Sequence, residues 1–190
     1  FLKFNKKKVA VPRLIPDPRN AGVAQSFDGT KIYWELHGPE NAKARPMVFC
    51  YGLVCSMNQW RHQLARYSKK HPCLLLDYRG HHQSQAPEDL WLMSISAIAK
   101  DVSACIQAQK FSLAPHVWGH SMGVNVALEL ALAEPELCRS LVLCCGTADN
   151  PFDGMFGISA LPSLTNPLLN LYSQYTKLYN TVWESIVGRP

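Results

Sequence analysis

In this 190-residue chain the residues best suited to chemistry fall in one short stretch, Gly119-His120-Ser121-Met122-Gly123. The stretch lies between an apolar run that predicts a strand, Pro115–Trp118, and a periodic one that predicts a helix, Met122–Ala133. A serine at such a junction sits in a tight, strained turn, and glycines two places to either side let neighbouring backbone approach. The turn pushes the hydroxyl outward, close to the helix N-terminus, where free N–H groups and the dipole favour developing negative charge. The plainer role for Ser121 is a helix N-cap, which serine fills well. Both glycines and the strand before them favour a nucleophile. A serine hydroxyl is a poor nucleophile until a histidine takes its proton and a carboxylate orients that histidine. The seven histidines are His37, His62, His71, His81, His82, His116 and His120, and none follows Ser121.

Other chemistry-bearing residues are less organised. His81-His82 lacks a third ligand at metal spacing, so the pair reads as loop structure and no metal or organic cofactor is expected. The cysteines, Cys50, Cys55, Cys73, Cys105, Cys138, Cys144 and Cys145, are odd in number and mostly in apolar stretches. No C-x-x-C occurs, and adjacent Cys144-Cys145 do not suit an ordinary disulfide. Buried free thiols in a reducing compartment, and hence a cytoplasmic location, are the expectation. The first residue is Phe1 and no signal-type apolar segment precedes the basic run, which leaves room for a removed leader.

These residues need a frame, and the sequence supplies one. With 47% hydrophobic and 17% charged residues the chain can bury a single sizeable core, which excludes collagen, coiled coil and wholesale disorder. No apolar run reaches the length of a membrane span; Val124–Ala133 is broken by Asn125 and Glu129. The net charge of +5 includes Lys6-Lys7-Lys8, a solvated end, and basic residues do not cover a face as nucleic-acid binding requires. Residues 1–20, basic and punctuated by Pro12, Pro16 and Pro18, read as an extended arm. A core follows over residues 21–150. Gly22–Phe27 and Lys31–His37 flank Asp28-Gly29-Thr30 as a hairpin. Met47–Tyr51, Cys73–Asp77, Pro115–Trp118 and Leu141–Cys145 read as buried strands. Helices are expected over Asn58–Lys70, capped by Asn58, then Leu92–Lys110 and Met122–Ala133. The alternation predicts an α/β fold, a mostly parallel doubly wound sheet with an N-terminal antiparallel hairpin. Residues 151–190 are aromatic-rich and sparsely charged, with Leu168, Leu171, Tyr172, Tyr175, Leu178 and Tyr179 at helical spacing. They read either as a further core helix or as the start of a helical lid over the strand ends, where open α/β sheets bind ligands.

Three motifs in order carry a family resemblance across Gly22–Gly146. They are GHSMG at Gly119–Gly123, Tyr51-Gly52-Leu53 after the first buried strand, and Asp77-Tyr78-Arg79-Gly80-His81-His82-Gln83-Ser84. The last is similar to a D-x-R-G-x-G-x-S loop. Together they resemble the N-terminal part of an α/β-hydrolase-fold enzyme of the esterase/lipase type. The resemblance implies that Ser121 is a nucleophile forming an acyl-enzyme. It implies an oxyanion hole made by the backbone N–H groups of Leu53 and Met122, within an elbow that includes Gly119, His120 and Gly123. His120 would pack against or line the site, not act as the base. Two positions depart from the pattern: Tyr51 replaces the usual His, and His82 replaces the second Gly, where a positive φ would strain it.

The rest of the triad is not in view. The resemblance orders it serine, acid, histidine, and His81 or His82 would serve only as an improvised base. The resemblance places the acid most often after a later strand, beyond residue 190; Asp149 stands where some branches place it, but Thr-Ala-Asp-Asn-Pro reads rather as a turn, and Asp153 is a weaker form of the same idea. The expectation is therefore an incomplete core, with the remaining strands and the catalytic histidine in a missing C-terminal part or a second chain. The implied activity is hydrolysis of small carboxylic esters with an apolar acyl or aryl group. Acyl transfer to another acceptor, C–C cleavage, and a non-catalytic protein holding a small apolar ligand on the same scaffold remain alternatives.

Overall fold

The computed structural model describes residues 12–40 and 43–148. A tight turn opens the sheet: strands β1 (Asn20–Gln25) and β2 (Lys31–His37) pair antiparallel around Asp28-Gly29. Gly29 takes φ +84°, the Asp28 carboxylate accepts from Thr30 N–H, and Ser26 N–H donates to Thr30 C=O at 2.9 Å. The chain continues through β3 (Met47–Cys50), a 3₁₀ turn (Met57–Trp60), α1 (Arg61–Tyr67) and β4 (Cys73–Leu76). Then come a 3₁₀ turn (Leu90–Leu92), α2 (Ile95–Gln109), β5 (His116–His120), α3 (Met122–Ala133), a 3₁₀ turn (Pro135–Leu137) and β6 (Ser140–Cys144).

The six strands lie in the order β1-β2-β4-β3-β5-β6. β2 runs antiparallel to β4, while the neighbours from β4 through β3 and β5 to β6 are parallel. This is the mixed sheet with an N-terminal hairpin that the alternation of elements predicts. All residues of β3 and β4 are buried, with no in–out alternation, because both faces are covered. On one face the rings of Phe49 and Trp118 pack against Trp60, 5.2 Å and 6.4 Å away, and Tyr67 of α1 joins them. On the other, Gly119 of β5 closes against Gly123 and Val124 of α3, and α3 packs on α2, which buries Ile98, Val102, Cys105 and Ile106.

Helix starts differ from the sequence expectation. Ser56, in extended conformation, caps the turn before α1 by accepting from Asn58 N–H. Asn58 is not the cap: its amide accepts from Leu14 N–H at 2.8 Å and donates to Pro12 C=O at 2.9 Å. The segment from Pro12 is therefore stitched to the core, and Ile15 is buried. α2 begins at Ile95, three residues later than expected, since Ser94 supplies the cap through Ala97 N–H. β5 runs on to His120, directly against Ser121.

One ion cluster ties three elements together. Arg79 is fully buried and binds Asp101 of α2 through Nε and Nη2 at 2.7 and 2.6 Å. Its Nη1 reaches Asp28 in the hairpin turn and Leu92 C=O, both at 3.0 Å. Such a forked pair fixes direction as well as charge. It anchors the loop after β4.

Candidate active site

β5 ends and α3 begins with a single residue between them. Ser121 makes that turn with φ +54° and ψ −123°, a region that costs a non-glycine residue ~1–3 kcal/mol. Two backbone bonds hold it there: Ser121 N–H donates to Cys144 C=O at 3.0 Å, and Ser121 C=O accepts from Val124 N–H at 2.9 Å. The side chain occupies the N-cap position but makes no capping hydrogen bond, and it is half-buried. Ser121 is therefore not a helix cap. Its hydroxyl stands at the N-terminus of a 12-residue helix with no such duty.

Only glycine fits beside the turn. A Cβ on Gly119 would collide with Gly123 C=O, and one on Gly123 would collide with Cys50 C=O at the end of β3. The loop after β3 thereby packs onto the elbow, and a Cβ on Gly52 would lie 3.2 Å from Ser121 Cβ. Leu53 follows at the same edge, largely exposed. Among the described residues, neither Leu53 N–H nor Met122 N–H is engaged in a backbone hydrogen bond outside regular elements. Gly52 therefore sits directly against Ser121 and His120, with Leu53 next to it in the chain and Met122 the first residue of α3. The imidazole of His120 stands edge-on to Trp60 at 6.5 Å, and its Nδ1 is buried without a partner among the described residues.

Tyr51 acquires a definite task. Its hydroxyl accepts from Tyr78 N–H at 2.9 Å, while the Tyr78 hydroxyl donates back to Tyr51 C=O at 3.0 Å. The two rings pack with centroids 4.2 Å apart, tilted by 38°, and both side chains are fully buried. This reciprocal pair locks the end of β3 to the end of β4. The family resemblance marked Tyr51 as a departure but gave no sign of its partner. Gln59, equally unmarked, accepts from Gly52 N–H at 3.2 Å.

The histidine pair serves loop structure. His81 is buried, with Nδ1 3.1 Å from Arg79 C=O. His82 takes φ +43°, the left-handed conformation that the glycine pattern implies, and its Nε2 lies 3.1 Å from Cys55 C=O. Among the described residues no group of three His, Cys, Asp or Glu side chains could hold a metal ion. Burial pushes the Cys50 thiol up to about 12, so it is no rival nucleophile beside the elbow. Asp149, Asp153 and the lid segment 151–190 lie outside the described residues.

An open cleft of about 220 Å³ lies between the N-terminal segment and the loops after β3 and β4, lined by Arg13, Ile15, Glu35, Met57, Asp77 and His82 among others. Ser121 does not line it. Burial pushes Asp77 up to about 6 against the Gln83 N–H it accepts from and the nearby His82. Burial acts the same way on Glu35, but hydrogen bonds from His37 and Arg13 overcome it and bring that carboxyl down to about 2.

Strand order, elbow and flanking loops have the form of a hydrolase core, and comparison with known proteins gives the same class. The profile of the alpha/beta hydrolase fold family matches residues 45–174, and the chain belongs to that family. It is 32% identical over 117 residues to the putative carbamate hydrolase RutD of Azorhizobium caulinodans, covering 62% of this chain and 42% of that protein. It is 30% identical over 142 residues to a probable alcohol acetyltransferase of Cyberlindnera fabianii, covering 72% of this chain and 37% of the relative. The chain thus spans less than half the length of these curated relatives. Among solved structures, the esterase EaEST of Exiguobacterium antarcticum superposes with a TM-score of 0.63 at 26% identity, over 80% of this chain and 56% of that one. No helix among the described residues is long and apolar enough to cross a membrane.

Proposed function

We propose that the chain carries the nucleophile half of a serine hydrolase acting on small carboxylic esters. Ser121 Oγ attacks the acyl carbonyl as its proton passes to a histidine base from outside these 190 residues. The tetrahedral oxyanion is received by the N–H groups of Leu53 and Met122. Collapse expels the alcohol, which takes the proton, and leaves the acyl group on Ser121; water then releases the acid by the reverse relay. Asp149 is the acid candidate within the chain, and residues 151–190 would begin a lid that offers an apolar wall to the acyl or aryl group. The observation that carries the reading is the backbone of Ser121, held at φ +54° with a hydroxyl that caps nothing. The names of relatives support the class: a carbamate hydrolase and an esterase both cleave acyl–heteroatom bonds.

A second reading keeps the acyl-enzyme but passes the acyl group to an alcohol instead of water. It is favoured by the acetyltransferase relative, which matches 72% of this chain. The experiment is turnover of p-nitrophenyl esters of graded acyl length by the full-length protein, with and without added alcohol. Ser121→Ala should lower kcat by roughly 10⁶-fold, the order found when another serine hydrolase loses its nucleophile. Turnover that survives the substitution would overturn the reading. New ester formed in the presence of alcohol would favour transfer.

A further inference from the structure

The turn that carries Leu53 is poorly held by its own sequence. Cys55 N–H donates to Gly52 C=O at 3.2 Å, closing a four-residue turn with Leu53 and Val54 at its centre. Val54 takes φ +54° and is 76% exposed. Turns of this kind want glycine or asparagine there, and a β-branched residue is a costly exception. Val54 gains nothing from burial in return. The conformation must be imposed from outside the turn.

Two ties cross to it. Gln59 Oε1 takes Gly52 N–H on one side. On the other, His82 Nε2 lies 3.1 Å from Cys55 C=O; since a carbonyl only accepts, Nε2 carries the proton and donates. His82 stands on a firm base. Ser84 Oγ donates to Asp77 C=O at 2.6 Å and accepts from Tyr33 N–H at 2.8 Å, Gln83 N–H binds the Asp77 carboxylate at 3.2 Å, and Gln85 N–H binds Lys31 C=O at 2.8 Å. Glycine would meet the left-handed backbone at position 82 without strain, whereas histidine holds it at a cost. What histidine adds is the only part glycine lacks: a ring that reaches the neighbouring loop.

We propose that His82 is a positioning residue that clamps the Gly52–Cys55 turn and so aims the Leu53 N–H at the oxyanion. The inference rests on the reading of Ser121 as nucleophile. The clamp matters in the transition state, when negative charge reaches the oxygen, and adds little to ground-state binding. Loss of the clamp therefore lowers kcat and leaves KM nearly unchanged.

The test is the rate at which a fluorophosphonate labels the full-length protein. Ser121 Oγ forms the bond to phosphorus, fluoride leaves, and the hydroxyl proton goes to the base; the phosphoryl oxygen occupies the place of the oxyanion. His82→Gly removes both the strain and the donor, so it should melt no lower than wild type yet label about three- to tenfold more slowly, the span expected for one neutral hydrogen bond. His82→Gln places an N–H at similar reach and should restore labelling to within about twofold of wild type, on the same reasoning. Ester turnover should show the loss in kcat and not in KM. A His82→Gly protein that labels at the wild-type rate overturns the clamp and leaves the nucleophile reading standing, as does a His82→Gln protein as slow as the glycine variant. Wild-type protein that does not label at all overturns the nucleophile reading, and the clamp with it.

Discussion

Ser121 pays for its position with backbone strain, and two neighbouring strands keep it there. Cys144 at the end of β6 takes its N–H, and Cys50 at the end of β3 has its carbonyl pressed against Gly123. The elbow is thus a close-packed junction of three strand ends and one helix, with no room for a methyl group. Gly123→Ala should destabilise the fold by ~1–3 kcal/mol through overpacking, read as a lower urea midpoint at unchanged m-value. A midpoint equal to wild type would mean that the backbone contact is looser than the geometry given above. The glycines and the serine were legible in the sequence because they fall within five residues as one motif, although the contacts that hold them, from Cys144 and Cys50, lie far off in the chain. The uncapped state of Ser121 was not, since serine fits a cap and a nucleophile equally well until its hydrogen bonds are known.

Between elements, the decisive contacts are long in sequence and so left no pattern. Asn58 looks like a helix cap from its neighbours, yet it is drawn off by Leu14, 44 positions away. Tyr51 and Tyr78 lock β3 to β4 across 27 positions. Tyr78→Phe should cost ~1–3 kcal/mol by leaving Tyr51 C=O buried without its donor, seen as a lower Tm. A Tm at the wild-type value would count against the lock. The carboxyls Asp77 and Glu35, which line the cleft beside the loop after β3, make a second prediction. Asp77 has a folded pKa near 6, above its ordinary 3.8, so acidification from pH 7 toward 5 protonates it first in the folded state and adds stability. Glu35 has a folded pKa near 2, below its ordinary 4.5, so its contribution is present above about 4.5 and is lost as pH falls toward 2. Burial holds the His81 and His116 imidazoles below their ordinary range, which costs stability as pH falls through the same window, so each carboxyl is read against its own variant. Relative to wild type, Asp77→Asn should lose stability as pH falls from 7 to 5, and Glu35→Gln should weaken the fall below about 4.5. Urea midpoints of the two variants that run parallel to wild type across these windows would contradict this.

At the scale of the whole molecule, the sheet was legible because buried parallel strands are written as short apolar runs, and β3, β4 and β5 fall within a residue or two of those runs. The order β1-β2-β4-β3-β5-β6 was not, for strand order depends on crossovers that periodicity does not encode. The family match over residues 45–174 and this topology agree on the class. The chemistry assigned to it rests on position 121. Treating the full-length folded protein with a fluorophosphonate and mapping the adduct by peptide mass spectrometry tests that assignment directly. The account predicts a single phosphonyl group on Ser121 that is absent from Ser121→Ala. A folded protein that takes up no label, or one that is labelled equally after the substitution, would contradict it.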